Sequence, residues 1–139
     1  MNRTEFQELA KLRLRESKAL LDAGHCPGSY YLAGYAIECA LKACIAKQTR
    51  RYDFPPGKNV IGNIYTHDLK TLMKSANLWL QFQKDSRADP ALASYWKVIE
   101  GWSSEQRYEL NVTRPMAADF YKAIAARTHG VLSWLKKYW

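Results

Sequence analysis

The side chains of this sequence that can move a proton or grip a phosphate fall in four places. His67-Asp68 is the first. An imidazole titrating near neutrality beside a carboxylate that orients its ring suits proton transfer or a phosphate contact. With Thr66 before it, the same pair also reads as the cap and first turn of a helix. Arg107-Tyr108 is the second, in a polar stretch without helical periodicity. An arginine there can hold a phosphate bidentately while a tyrosine stacks on a base, or it can simply tie the stretch to the fold. The third place is Lys47, Arg50, Arg51 and Lys58, interleaved with Tyr52 and Phe54. Cations mixed with rings suit a single-stranded nucleic-acid backbone, and the plainer account is a helix end followed by a solvated loop. The fourth is Glu38, four residues before Lys42 inside an otherwise apolar run. A charge buried there needs a partner, and Arg13, which falls in the apolar arc of its own helix, is the candidate third member of a polar network.

No metal or cofactor is expected. His25 reads as part of a turn and His129 as the far side of the last helix, and neither has a metal-ligand spacing to another His, Cys or carboxylate. Cys26, Cys39 and Cys44 form an odd set with no C-x-x-C, so neither a zinc site nor a disulfide framework is suggested. Net charge is +8, from 21 basic and 13 acidic side chains. That excess attracts polyanions whatever the fold, which makes RNA, DNA, a nucleotide or an acidic protein a plausible partner class. The charged, amphipathic start of the chain is not the apolar stretch of a signal peptide, and a cytoplasmic, reduced protein is expected.

The elements that must position these residues are helices. Over residues 4–22, Phe6, Leu9, Ala10, Leu14, Ser17, Leu20 and Leu21 share one arc at 100° per residue. Gly24 ends that helix, with Pro27 placed to stop any continuation. Residues 29–48 are apolar almost all round, as a central buried helix would be. Glu38 and Lys42 interrupt the run, so no membrane span is expected. A loop over 49–65 leads to a third helix capped by Thr66, with Leu69, Leu72, Met73 and Ala76 on one face. The helical region extends over 78–82 after a kink near Asn77. Asp89-Pro90 opens a fourth helix and Thr113-Arg114-Pro115 opens the last. In the last, Ala117, Tyr121, Ile124, Thr128, Val131, Leu135 and Tyr138 follow at spacings of four and three, a continuous heptad-like seam. The expectation is one all-α domain over residues 1–139, an up-and-down bundle of four long helices plus one shorter helix.

The tract Tyr30-Tyr31-Leu32-Ala33-Gly34-Tyr35-Ala36-Ile37-Glu38-Cys39-Ala40-Leu41-Lys42-Ala43 resembles the HEPN family of small helical domains. His67-Asp68-Leu69 with Leu72 looks like that family's H-D-L-x-x-L helix opening, and Trp102 with Arg107-Tyr108 looks like its W…R-Y element. The resemblance covers residues 5–137. It implies a helical bundle that pairs as a homodimer, and a toxin–antitoxin type setting with a nucleotidyltransferase-like protein as partner. The family's ribonucleases resemble one another in an R-x(4–6)-H motif, with arginine offsetting phosphate charge and histidine moving the proton of a 2′-hydroxyl. None of the three histidines here has an arginine at that spacing before it. The resemblance therefore implies a non-catalytic module that binds RNA, a nucleotide or a partner. The alternatives are a divergent metal-independent ribonuclease using Arg107 with His67, or a purely structural interaction domain.

Overall fold

The computed structural model describes residues 1–49 and 65–139. These residues form α1 (Arg3–Asp22), α2 (Cys26–Gln48), α3 (Leu69–Ser75), α4 (Trp79–Ala88) and α5 (Pro90–Ile99). A 3-10 helix (Ser104–Tyr108), α6 (Arg114–Ala125) and α7 (Val131–Leu135) follow. Among the described residues there is no strand, so the chain is all-α. No helix among them is long and apolar enough to cross a membrane.

The layout follows from α2. Ala33, Ala36, Ile37, Cys39, Ala40, Leu41, Ala43 and Cys44 are all buried, and they face different directions around the helix. Such a helix can only lie at the centre, and α2 touches α1, α3, α6, α7 and the 3-10 helix. The core around it is closed by Leu69, Leu72 and Met73 from α3, Phe120 and Ile124 from α6, and Val131 and Leu135 from α7.

Local chemistry sets the ends. Asn2 and Glu5 form a reciprocal capping box, the Asn2 side chain accepting from the Glu5 amide at 2.9 Å and the Glu5 carboxylate from the Asn2 amide at 2.7 Å. Gly24, at φ 83°, takes the left-handed turn that ends the α1 region. Pro27 does not act as a stop. It lies in the first turn of α2, where its fixed φ and missing N–H suit a helix start. The cap of α3 is Asp68 and not Thr66: the Asp68 carboxylate accepts from the Thr71 amide at 2.8 Å. Asn77, at φ 55°, separates α3 from α4 where a kink was expected.

Four long helices and a shorter one do not describe these residues. Only α1 and α2 are long, at 20 and 23 residues. The expected unbroken last helix divides into α6 and α7. His129 adopts a left-handed φ of 66°, and Gly130 packs so closely on Ala126 that a Cβ there would lie 2.2 Å from its carbonyl oxygen. Ser133 Oγ donates to that same carbonyl at 3.0 Å. The heptad register is lost at Thr128, which is exposed.

Candidate functional site

Tyr31, Tyr35, Glu38 and Lys42 follow along α2 at intervals of four, three and four, so they share one face of the helix. From first to last the row runs about 16 Å at the helical rise. Tyr31, Tyr35 and Lys42 are half-buried and Glu38 is fully buried. The Tyr31 and Tyr35 rings stack with centroids 6.2 Å apart, and Tyr31 continues onto Trp102 at 6.0 Å.

The charged end of the row is a three-member network. Lys42 Nζ donates to Glu38 Oε1 at 2.8 Å. His67 Nδ1 lies 2.9 Å and 3.0 Å from the two Glu38 oxygens. An ion-paired carboxylate only accepts, so the Glu38 side fixes the His67 proton on Nδ1. His67 is half exposed, and its Nε2 makes no hydrogen bond among the described residues. The outward nitrogen is therefore the one free to meet a ligand. Sequence reasoning had Asp68 orienting this ring. Asp68 instead caps α3, accepting from both the amide and the hydroxyl of Thr71, and a buried glutamate 29 residues earlier does the orienting.

Arg13 is not the partner of Glu38. Its guanidinium pairs with Glu16, one turn along its own helix, at 2.7 Å and lies over the Tyr35 ring at 6.0 Å. Glu38 already has two donors, and an i,i+3 carboxylate is in reach of Arg13 without bending its stem into the core. The arginine borders the row as a cation on an aromatic face. Burial, and then the neighbouring Cys39, Glu38 and Tyr31, push the Tyr35 phenol above its ordinary value, with Arg13 opposing. Tyr35 thus remains a neutral ring and a hydrogen-bond donor.

At the other end stands the 3-10 helix, started by Ser103 Oγ accepting from the Glu105 amide at 3.3 Å. Arg107 and Tyr108 are exposed, the guanidinium 4.8 Å from the ring centre. The neighbouring Tyr108 is the largest influence raising the Arg107 pKa above its ordinary value, and the field of Tyr31 adds to it. Trp102 seats this helix. Its indole is 1% exposed and lies flat on the backbone of α2 at Gly34, where a Cβ would come 2.2 Å from the ring. Only glycine admits that approach.

The structure thus gathers Glu38, Lys42 and His67 into one network, sets Arg13 beside Tyr35, and sets Arg107-Tyr108 near the Tyr31 end. Arg50 and Arg51, with Tyr52, Phe54 and Lys58, lie outside the described residues. Sequence reasoning missed Tyr31, Tyr35 and Gly34 as parts of this face, taking them as core. The signal was present: their spacing places them in line with the two charges of α2. Among the described residues there is no cluster of three or more His, Cys, Asp or Glu side chains able to hold a metal. Set against known protein families, curated proteins and solved structures, the chain matches none of them.

Proposed function

We propose that this protein is a HEPN-like, non-catalytic binding module that pairs as a homodimer and holds RNA or a nucleotide along the half-buried tyrosine face of α2. One observation carries the reading: stacked tyrosines bordered by Arg13 and Arg107, in line with a histidine whose second nitrogen has no hydrogen-bond partner among the described residues. Rings stack on bases regardless of sequence, and guanidinium groups match phosphates. The excess of eight positive charges supplies the long-range attraction. Pairing is supported by large apolar side chains that stand exposed on the 3-10 helix and just after it, with Tyr108 69%, Leu110 83% and Met116 47% exposed. A nucleotidyltransferase-like protein is the heterologous partner that the family resemblance favours, in a cytoplasmic toxin–antitoxin type setting.

Fluorescence anisotropy with a labelled single-stranded RNA tests the reading. Binding should weaken on raising salt from about 50 to 200 mM, and Arg107→Ala should weaken it by about tenfold. No binding at low salt removes the proposal and leaves an interaction-only domain. Sedimentation at micromolar concentration showing only a 16.0 kDa species removes the homodimer.

The Glu38–His67 pair favours a second reading, a divergent metal-independent ribonuclease. A carboxylate holding Nδ1 leaves Nε2 ready to accept a 2′-hydroxyl proton. Cleavage of RNA in the presence of a chelator, abolished by His67→Ala, would establish this reading over the first.

A further inference from the structure

Arg13 points to one flank of α1, and two residues on, Arg15 points about 200° away from it. On that second flank we propose an oligophosphate site: a cleft that takes a chain of two or three phosphoryl groups, either free or as the triphosphate of a nucleotide. The site is separate from the α2 face and does not depend on the function proposed for it.

Lys11, Arg15 and Lys18 follow at intervals of four and three, so they form a row of like charge spanning about 10 Å of helix. Lys136, at the end of α7, faces the same cleft, whose volume is about 290 Å³. Leu14, Tyr121 and Leu132 complete the lining, and no carboxylate belongs to it. Like charges one turn apart disfavour a helix unless something neutralises them. The neutralisation present is slight. Lys11 pairs with Glu8 at 3.0 Å and Lys18 with Asp22 at 2.7 Å, but both pairs lie in solvent, where such contacts contribute little and exchange readily. Arg15 and Lys136 make no ion pair among the described residues.

The rings here help to place the cations. Lys18 Nζ lies 5.9 Å from the centre of Tyr121, and Lys11 and Lys136 each lie 5.8 Å from the Trp139 ring. Cations are attracted to ring faces, so these contacts keep the ammonium groups at the cleft. An anion does not compete with them; it meets cations that the rings hold in place. Arg15 offers its planar fork to one phosphoryl group, and the lysines act as point charges on the others. A row of about 10 Å offers more cations than a single phosphate can contact, which selects a chain of them.

Titration calorimetry of the full chain with inorganic tripolyphosphate, orthophosphate and ATP tests this. Tripolyphosphate should bind at least about tenfold tighter than orthophosphate, and more weakly at about 150 mM salt than at about 20 mM. ATP binding as tightly as tripolyphosphate shows that the phosphates alone are recognised; ATP binding much tighter identifies a nucleotide as the source. Arg15→Glu and Lys136→Glu, both at exposed positions, should each weaken tripolyphosphate by about tenfold or more, while Lys97→Glu on α5 leaves it unchanged. Three results overturn the site: no tripolyphosphate binding at low salt, equal affinity for orthophosphate, or the same loss in Lys97→Glu. RNA binding that is lost in Arg15→Glu and Lys136→Glu, with no tripolyphosphate binding, would make this flank a nucleic-acid track instead.

Discussion

Replacing Glu38 by alanine removes a buried carboxylate that holds two cationic or polar partners against the core. Glu38 is 1% exposed, and the Lys42 and His67 side chains that lose their acceptor are 15% and 49% exposed. Breaking a buried pair by deleting one member costs about 3–5 kcal/mol, most of it from the charge left behind. Here that charge is the Lys42 ammonium, which sits near the surface and can turn partly toward water, so the lower end, about 3 kcal/mol, is expected. For a domain of this size such a loss lowers Tm by roughly 6–12 °C. Urea unfolding read by tryptophan fluorescence measures it, with the slope unchanged and the midpoint lowered. Lys42→Met in the same chain should recover part of the loss, because no unpaired ammonium then remains. A loss under about 1 kcal/mol for Glu38→Ala, or strict additivity with Lys42→Met, would refute the buried network.

Gly34→Ala gains roughly 1 kcal/mol of helix propensity but drives a methyl into the Trp102 ring, so a net destabilisation of about 1–2 kcal/mol is expected in the same urea assay; a more stable variant would refute the contact. The hydrogen bond from His129, at 2.7 Å, holds the Asp89 carboxyl below its ordinary range. A depressed carboxyl contributes stability above its unfolded pKa of about 3.8 and loses it as pH falls through the folded value. Acid unfolding should therefore begin at higher pH in His129→Ala than in the parent chain. Burial pushes the Cys39 and Cys44 thiols up to about 12, so at pH 8 a thiol reagent should label them only after denaturant is added.

Helix positions were legible in the sequence wherever a cap or a period is a local property. Asp89-Pro90 and Thr113 open α5 and α6 as expected, because a short polar side chain over an open amide is a signal confined to a few residues. The break at Gly130 was not read, since the apolar spacing of Ala117, Tyr121 and Ile124 runs on to Val131 and Leu135 as though the helix continued. A single glycine is tolerated in a helix, and only the packing of Gly130 on Ala126 shows that the chain turns there. In the candidate site, the need for Glu38 to have partners was legible from its apolar surroundings, and Lys42 followed from helical spacing. His67 was not, because its 29-residue separation from Glu38 is closed by the docking of α3 on α2, which no periodicity records.

Gly34 and Trp102 show why the proposed binding face cannot be separated from the core. Trp102 lies on the α2 backbone with one side of its ring and 6.0 Å from Tyr31 with another, so it fixes both the spacing of the core and the place from which the 3-10 helix presents Arg107. Its indole Nε1 is buried without a hydrogen-bond partner, which is unfavourable for packing alone. A change at Trp102 therefore alters the stability of the core and the placement of Arg107 together. Arg107 is exposed and lies downstream of that scaffold, so a change there leaves the core as it is, whereas a change at His67 also removes one of the two donors to the buried Glu38.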